Sequence, residues 1–138
     1  MQVAPYLFFD GRCEEAIEFY RSAVGAEVQM LMRYKDSPDP HQPGMVPPGA
    51  ENKVMHANLR IGNSTVLASD HCGPNPPPKL QGFALSLTVP NEPAADRAFA
   101  ALSAGGQVHM PLTKTFFSPR FGMLADRYGV MWMVYVAP

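Results

Sequence analysis

Only a short set of side chains in this sequence has the types and placement to do chemistry. His56 stands in MHANLR (55–60), where an imidazole titrating near neutrality could serve as a base or a lone metal ligand. A structural histidine bonding to a neighbouring strand is the competing reading. With a tight Gly62-Asn63 turn, His56 pairs opposite Ser69 and points away from Val66, which counts against a role in a ligand cavity. Asp70, His71 and Cys72 place three ligand types side by side. Successive side chains diverge at a strand end, which favours a solvated end over a metal site. Arg120, within SPRFG, can grip a carboxylate or phosphonate with both ends of its guanidinium. A structural ion pair, for instance with Asp126, or a plain surface position is the competing reading. Asp126 itself has the sequence setting of a turn residue bonding to backbone amides. Ser86 and Thr88 alternate with apolar residues and can line a cavity or satisfy each other. Met123, Met131 and Met133, with Met30, Met32, Met55 and Met110 elsewhere, give an interior that adapts to irregular apolar ligands, or a core or dimer contact filled by the same residues.

The elements that must hold these residues centre on FFSPRFGMLADRYGVMWMVY (116–135). It predicts a β-hairpin, extended over 121–126, turning over 126–129 and extended again over 130–135. Val130, Trp132 and Val134 then share one face, and Met131, Met133 and Tyr135 the other. Upstream, 3–9 is a strand, and Asp10-Gly11 opens a helix whose apolar face is Cys13, Ala16, Ile17, Tyr20 and Val24. Gly25 ends it. A strand over 27–34 leads to the proline-rich excursion DSPDPHQPGMVPPGA (36–50), which cannot continue a ladder. Strands at 54–61 and 64–69 follow, and HCGPNPPPK (71–79) is a linker. The order then repeats: a strand through Phe83, Leu85, Leu87 and Val89, then a helix over 91–104 capped by Asn91. Sliding the chain by about 80 lays AVGAEVQM on SAGGQVHM, and by about 67 lays Arg60 and Gly62 on Arg127 and Gly129. The expected architecture is α+β, two βαβββ modules at about 1–72 and 80–138 in a single domain.

The 138 residues, 46% of them hydrophobic, are enough for one real core. A formal net charge of -1 gives no electrostatic basis for binding nucleic acid or an anionic membrane. No apolar run approaches the roughly 18 residues of a transmembrane span, and MQVAPYLFFDG lacks a basic leader region. Two distant cysteines, Cys13 and Cys72, make neither a disulfide framework nor a zinc site, so the expected compartment is a reducing cytoplasm.

Tandem βαβββ modules resemble the vicinal oxygen chelate superfamily, which includes glyoxalase I, extradiol dioxygenases and bleomycin-resistance proteins. FFDGRCEEAIEFYRSAVGAE, MHANLRIGNSTVLASD and FFSPRFGMLADRYGVMWMV are similar to its phosphonate-operon B-type branch, over nearly the whole chain. The resemblance implies an eight-stranded curved mixed sheet enclosing a cavity, helices outside, and a homodimer. It implies metal ligands on the first and fourth strands of each module, at positions held here by Pro5, Val66, Ala84 and Met133. Those side chains offer no ligand for a hard divalent ion, nor do their immediate neighbours in sequence restore a set. Some relatives in the branch are labelled ubiquinone-pathway methyltransferases, but no Gly-rich strand-to-helix turn supports that label here. The expectation is therefore a small-molecule binding protein or metal-independent enzyme, with no cofactor and no metal. Its ligand-binding set is Phe9, His56, Ser86, Arg120, Met123, Met131 and Met133. A metal-dependent lyase, isomerase or dioxygenase using His56, His109, Asp70 and Glu27 is the first alternative. A structural dimer without a working cavity is the second.

Overall fold

The computed structural model describes residues 1–37, 48–73 and 75–138, so most of the 36–50 excursion lies outside the described residues. The chain divides into two compact modules, Met1–Lys79 and Leu80–Pro138. Among the described residues each contains one α-helix and one four-stranded mixed sheet, so the eight expected strands are divided between two sheets.

Module 1 runs β1 (Tyr6–Phe9), α1 (Cys13–Val24), β2 (Glu27–Arg33), a 3-10 turn at Tyr34–Asp36, β3 (Val54–Ile61) and β4 (Ser64–Asp70), in sheet order β1-β4-β3-β2. β1 and β4 are parallel and the other pairs antiparallel. Glu14 and Glu15 sit in the first turn of α1, where the helix dipole favours negative charge. Gly25 ends the helix in the left-handed conformation (φ 69°), which costs glycine nothing. The helix buries Cys13, Ala16, Ile17 and Tyr20. Leu7, Phe9, Ala57, Leu59, Val66 and Ala68 are buried on the matching sheet face, as strand alternation requires.

Module 2 repeats the order: β5 (Leu85–Val89), α2 (Glu92–Ser103), β6 (Gln107–Thr113), β7 (Phe121–Ala125) and β8 (Met131–Val136), in sheet order β5-β8-β7-β6. Asn91 caps α2 by accepting a hydrogen bond from Ala94 N at 2.9 Å. The helix buries Ala95, Phe99 and Leu102 over a sheet face that carries Leu124, Trp132, Val134 and Val136. A Cβ at Gly122 would stand 2.7 Å from Phe99 Cε2, so glycine is what lets α2 sit this close. The β7–β8 turn is organised by Asp126, which accepts from Tyr128 N (2.8 Å), Val130 N (3.1 Å) and the Trp132 indole N–H (2.9 Å). A charged acceptor on three donors is a strong local lock. It fixes Trp132 toward the helix and leaves Met131 and Met133 on the other side.

Candidate functional site

A sheet with a helix on one face leaves its other face to be covered by something else. In module 2 that open face is built by register. Ser86 pairs with Met133, Thr88 with Tyr135, Met123 with Met133 and Ala125 with Met131. Met110, on the edge strand β6, is opposite Met123. Of the expected ligand set, Ser86, Met123, Met131 and Met133 therefore share one surface. It is a bed of thioethers, with the Ser86 and Thr88 hydroxyls along one border and the Tyr135 phenol among them. Such a surface can hold an irregular apolar body and orient it with a few hydrogen bonds.

The open face of module 1 carries Tyr6, Phe8, Met30, His56, Asn58 and Leu67. Tyr6 pairs with Leu67, Met30 with Asn58 and Met32 with His56. Tyr6 OH lies 3.0 Å from His56 Nδ1, and the Tyr6 ring stacks on Phe8 with centroids 4.7 Å apart. His56 does point away from Val66. Val66 faces the helix, so the surface His56 occupies is the open one, contrary to the expectation that its direction removes it from a ligand face. Sequence alternation alone finds neither Tyr6 nor Phe8, because the helix-facing side of β1 is set by where α1 lands.

Two expected ligand contacts lie elsewhere. Phe9 is only 3% exposed and packs in the helix-facing core of module 1; its neighbour Phe8 takes the open side. Arg120 is held by Asp96 of α2, with Nε to Oδ1 at 3.0 Å and Nη2 to Oδ2 at 2.9 Å. That bidentate pair, rather than one with Asp126, fixes the guanidinium at the helix. It also holds the Asp96 carboxyl below its ordinary pKa, chiefly through the hydrogen bond.

Asp70 is the residue whose role sequence reasoning missed. It is 2% exposed rather than solvated. Oδ1 accepts from Cys13 N at 2.9 Å and Oδ2 from Val54 N at 3.0 Å. The residue before α1, Arg12, makes no side-chain cap, so the Asp70 carboxylate satisfies the first amide of the helix from another strand. Beside it the Cys13 thiol is pushed far above its ordinary pKa by burial, then by the Asp70 and Glu14 charges. Tyr34 donates to the Asp70 carbonyl at 3.1 Å. Burial and a hydrogen bond with Cys72 push the Tyr34 phenol upward. His71 turns the other way, with Nε2 2.8 Å from Asn75 O. The three adjacent ligand types thus serve three different partners.

Two clefts lie in module 1 near this strand end. One of about 370 Å³ is lined in part by Asp10, Gly11, Lys53, His71 and Cys72. The other, of about 300 Å³, is lined in part by Glu14, Arg33, Asn52 and Asp70. Their cations are engaged internally: Lys53 Nζ donates to Gly11 O at 2.9 Å, and Arg33 binds Glu14 and donates to Asn52 O at 2.8 Å.

The superfamily metal site can be tested against these side chains. Leu7 pairs with Ala68 in module 1 and Leu87 with Val134 in module 2. Ala68 and Val134 are 66 positions apart, which makes Leu67 the counterpart of Met133. Val66 corresponds to Trp132 and lies under the helix, not on the open face. Pro5 and Ala84 precede their strands. Leucine and methionine at the matched positions give a hard divalent ion nothing to replace its water. The residues present do not fit that ion. Among the described residues no three of His, Cys, Asp or Glu group as a metal site.

Comparison with known proteins agrees with this geometry in fold. The Escherichia coli (strain K12) protein YjdN is 33% identical over 141 residues, covering 99% of this chain and 95% of that protein. The crystal structure of protein PA1353 from Pseudomonas aeruginosa matches with a TM-score of 0.88 and 38% identity, covering 99% of this chain and 98% of that one. A Bacillus cereus structure described as a putative 3-demethylubiquinone-9 3-methyltransferase, PhnB protein, matches at TM-score 0.77 and 29% identity, over 99% and 100% of the two chains. The family model of the Glyoxalase/Bleomycin resistance protein/Dioxygenase superfamily matches residues 2–134. That match runs over nearly the whole chain, and the chain belongs to this superfamily.

Proposed function

We propose that this chain is a small-molecule-binding protein, or an enzyme working without a metal ion, of the glyoxalase/bleomycin-resistance type. The observation that carries the reading is the open face of module 2, where Met123, Met131 and Met133 meet beside Ser86. Long unbranched thioethers present a surface that reshapes around its ligand, and the hydroxyl border supplies orientation. The similarity to the Bacillus cereus PhnB protein favours the B-type branch. A methyltransferase activity gains nothing from these sheets, which have one parallel pair each and no crossover of the dinucleotide-binding kind. The metal-dependent alternative loses two of its four ligands: Asp70 is engaged by buried amides and Glu27 pairs with Arg60.

The protein also acts as a homodimer on this reading. Edge strands β2 and β6 carry exposed Met30, Val108 and Met110, and bare edges of this kind call for a partner. A solution mass near the 15.1 kDa of one chain at micromolar concentration would argue against it.

The ligand test is NMR of methyl-13C-methionine protein titrated with 8-anilinonaphthalene-1-sulfonate, an apolar anion. The expected result is saturable shifts at Met123, Met131 and Met133, removed by M133A. Shifts confined to methionines off this face, or none, overturn the reading.

A further inference from the structure

We infer that Tyr6 and His56 form a preset hydrogen-bond donor on the open face of module 1, taking an acceptor oxygen on an aromatic ligand. The inference rests on the proposed ligand-binding role and assigns that role a polar contact and a substrate class.

Tyr6 OH and His56 Nδ1 are 3.0 Å apart. Either Nδ1–H donates to the phenol oxygen and leaves the phenol O–H free, or the phenol donates to Nδ1 and leaves Nε2–H free, so each arrangement keeps one donor for a ligand. The phenol is the more acidic donor and the imidazole nitrogen the more basic acceptor, which favours the second. The second arrangement places the imidazole proton on Nε2. A neutral imidazole in this tautomer has one donor to offer, and Tyr6 selects which nitrogen carries it. The ring is held at the same time: Tyr6 and His56 centroids are 5.6 Å apart, and Tyr6 is stacked on Phe8.

Apolar surroundings define the rest of the ligand. Phe8 is 45% exposed with its ring against Tyr6, Leu67 pairs with Tyr6, and Met32 pairs with His56. Aromatic faces beside a fixed N–H donor suit a planar body bearing a carbonyl or carboxylate oxygen. A donor of this kind also polarises a carbonyl without an ion. Tyr6 is a positioning residue here, and His56 is the group that touches ligand.

Benzoate is the probe, with benzyl alcohol as its uncharged counterpart, on protein carrying 15N-labelled histidine. The expected spectrum of the free protein shows the His56 proton on Nε2. Benzoate at millimolar concentration then moves the Nε2–H resonance. Y6F releases the tautomer preference and weakens benzoate about tenfold, the scale of one hydrogen bond to a charged group, while benzyl alcohol changes less. H56Q, which keeps a donor, retains more benzoate affinity than H56A. A proton on Nδ1 in the free protein, or His56 resonances indifferent to benzoate, overturns the inference. Should the methionine face still bind its probe in that event, the proposed function stands and only this assignment falls.

Discussion

Asp70→Ala should be among the most damaging single changes in module 1. The carboxylate is buried and accepts two backbone N–H groups, Cys13 N at the start of α1 and Val54 N at the start of β3. Alanine leaves both donors without their acceptor, at the inner wall of the cleft that Asp70 lines. Each buried, unsatisfied donor costs about 1–3 kcal/mol, and losing a helix cap alone costs about 0.5–2 kcal/mol. The expected loss is therefore about 3–4 kcal/mol, a large part of the roughly 5–15 kcal/mol that holds an ordinary domain together. Asp70→Asn keeps one acceptor oxygen but turns an amide N–H₂ toward the other donor, so about half the loss should remain. Urea denaturation followed by circular dichroism measures both, with the midpoint falling and the slope unchanged. An alanine variant within about 0.5 kcal/mol of the wild type, as for a surface substitution, would refute the reasoning.

Asp126→Ala should destabilise module 2 by about 2–4 kcal/mol, because three donors including the Trp132 indole lose their acceptor; the check is denaturation followed by Trp132 fluorescence. Asp96 has a depressed pKa in the fold, so the Arg120 pair contributes above the ordinary value of 3.8 and its contribution fades as pH falls through the folded value. Arg120→Ala should return the Asp96 midpoint to that ordinary value in a carboxyl NMR titration and leave dye binding at the methionine face unchanged. Thiol titration at pH 8 should find Cys72 reacting in the native protein and Cys13 only on unfolding, since Cys13 is buried and its thiolate strongly disfavoured.

The order of elements was legible because each rests on local signals: alternation in the strands, Asn91 and Gly25 at helix ends, Asp126 at its turn. The face of each strand was harder. An offset of 67 laid Val66 on Met133, but the strand pairing gives 66, because the β7–β8 turn around Asp126 differs in length from the tight Gly62-Asn63 turn. A slip of one residue moves every side chain to the opposite face. That slip is why Val66 looked open and His56 looked turned away. Phe9 was misplaced for a related reason, since which side of β1 meets α1 is a tertiary fact. Asp70 and Arg120 show the other kind of limit. Their partners lie far along the chain, at Cys13 and Val54 for one and Asp96 for the other, and no short pattern announces them. Met123, Met131, Met133 and Ser86 gathered on one face because strict alternation across β5, β7 and β8 needs no long-range information beyond the pairing itself.

The proposal most open to test is that ligand binding by this superfamily member uses side chains of its open sheet faces rather than a hard metal ion. Calorimetric titration with zinc, nickel and iron tests it most directly, on protein purified without an immobilised-metal step and first assayed for metal content. The account predicts substoichiometric metal on isolation and no submicromolar binding isotherm. Stoichiometric metal bound at submicromolar affinity, and lost in His56→Ala, would contradict it.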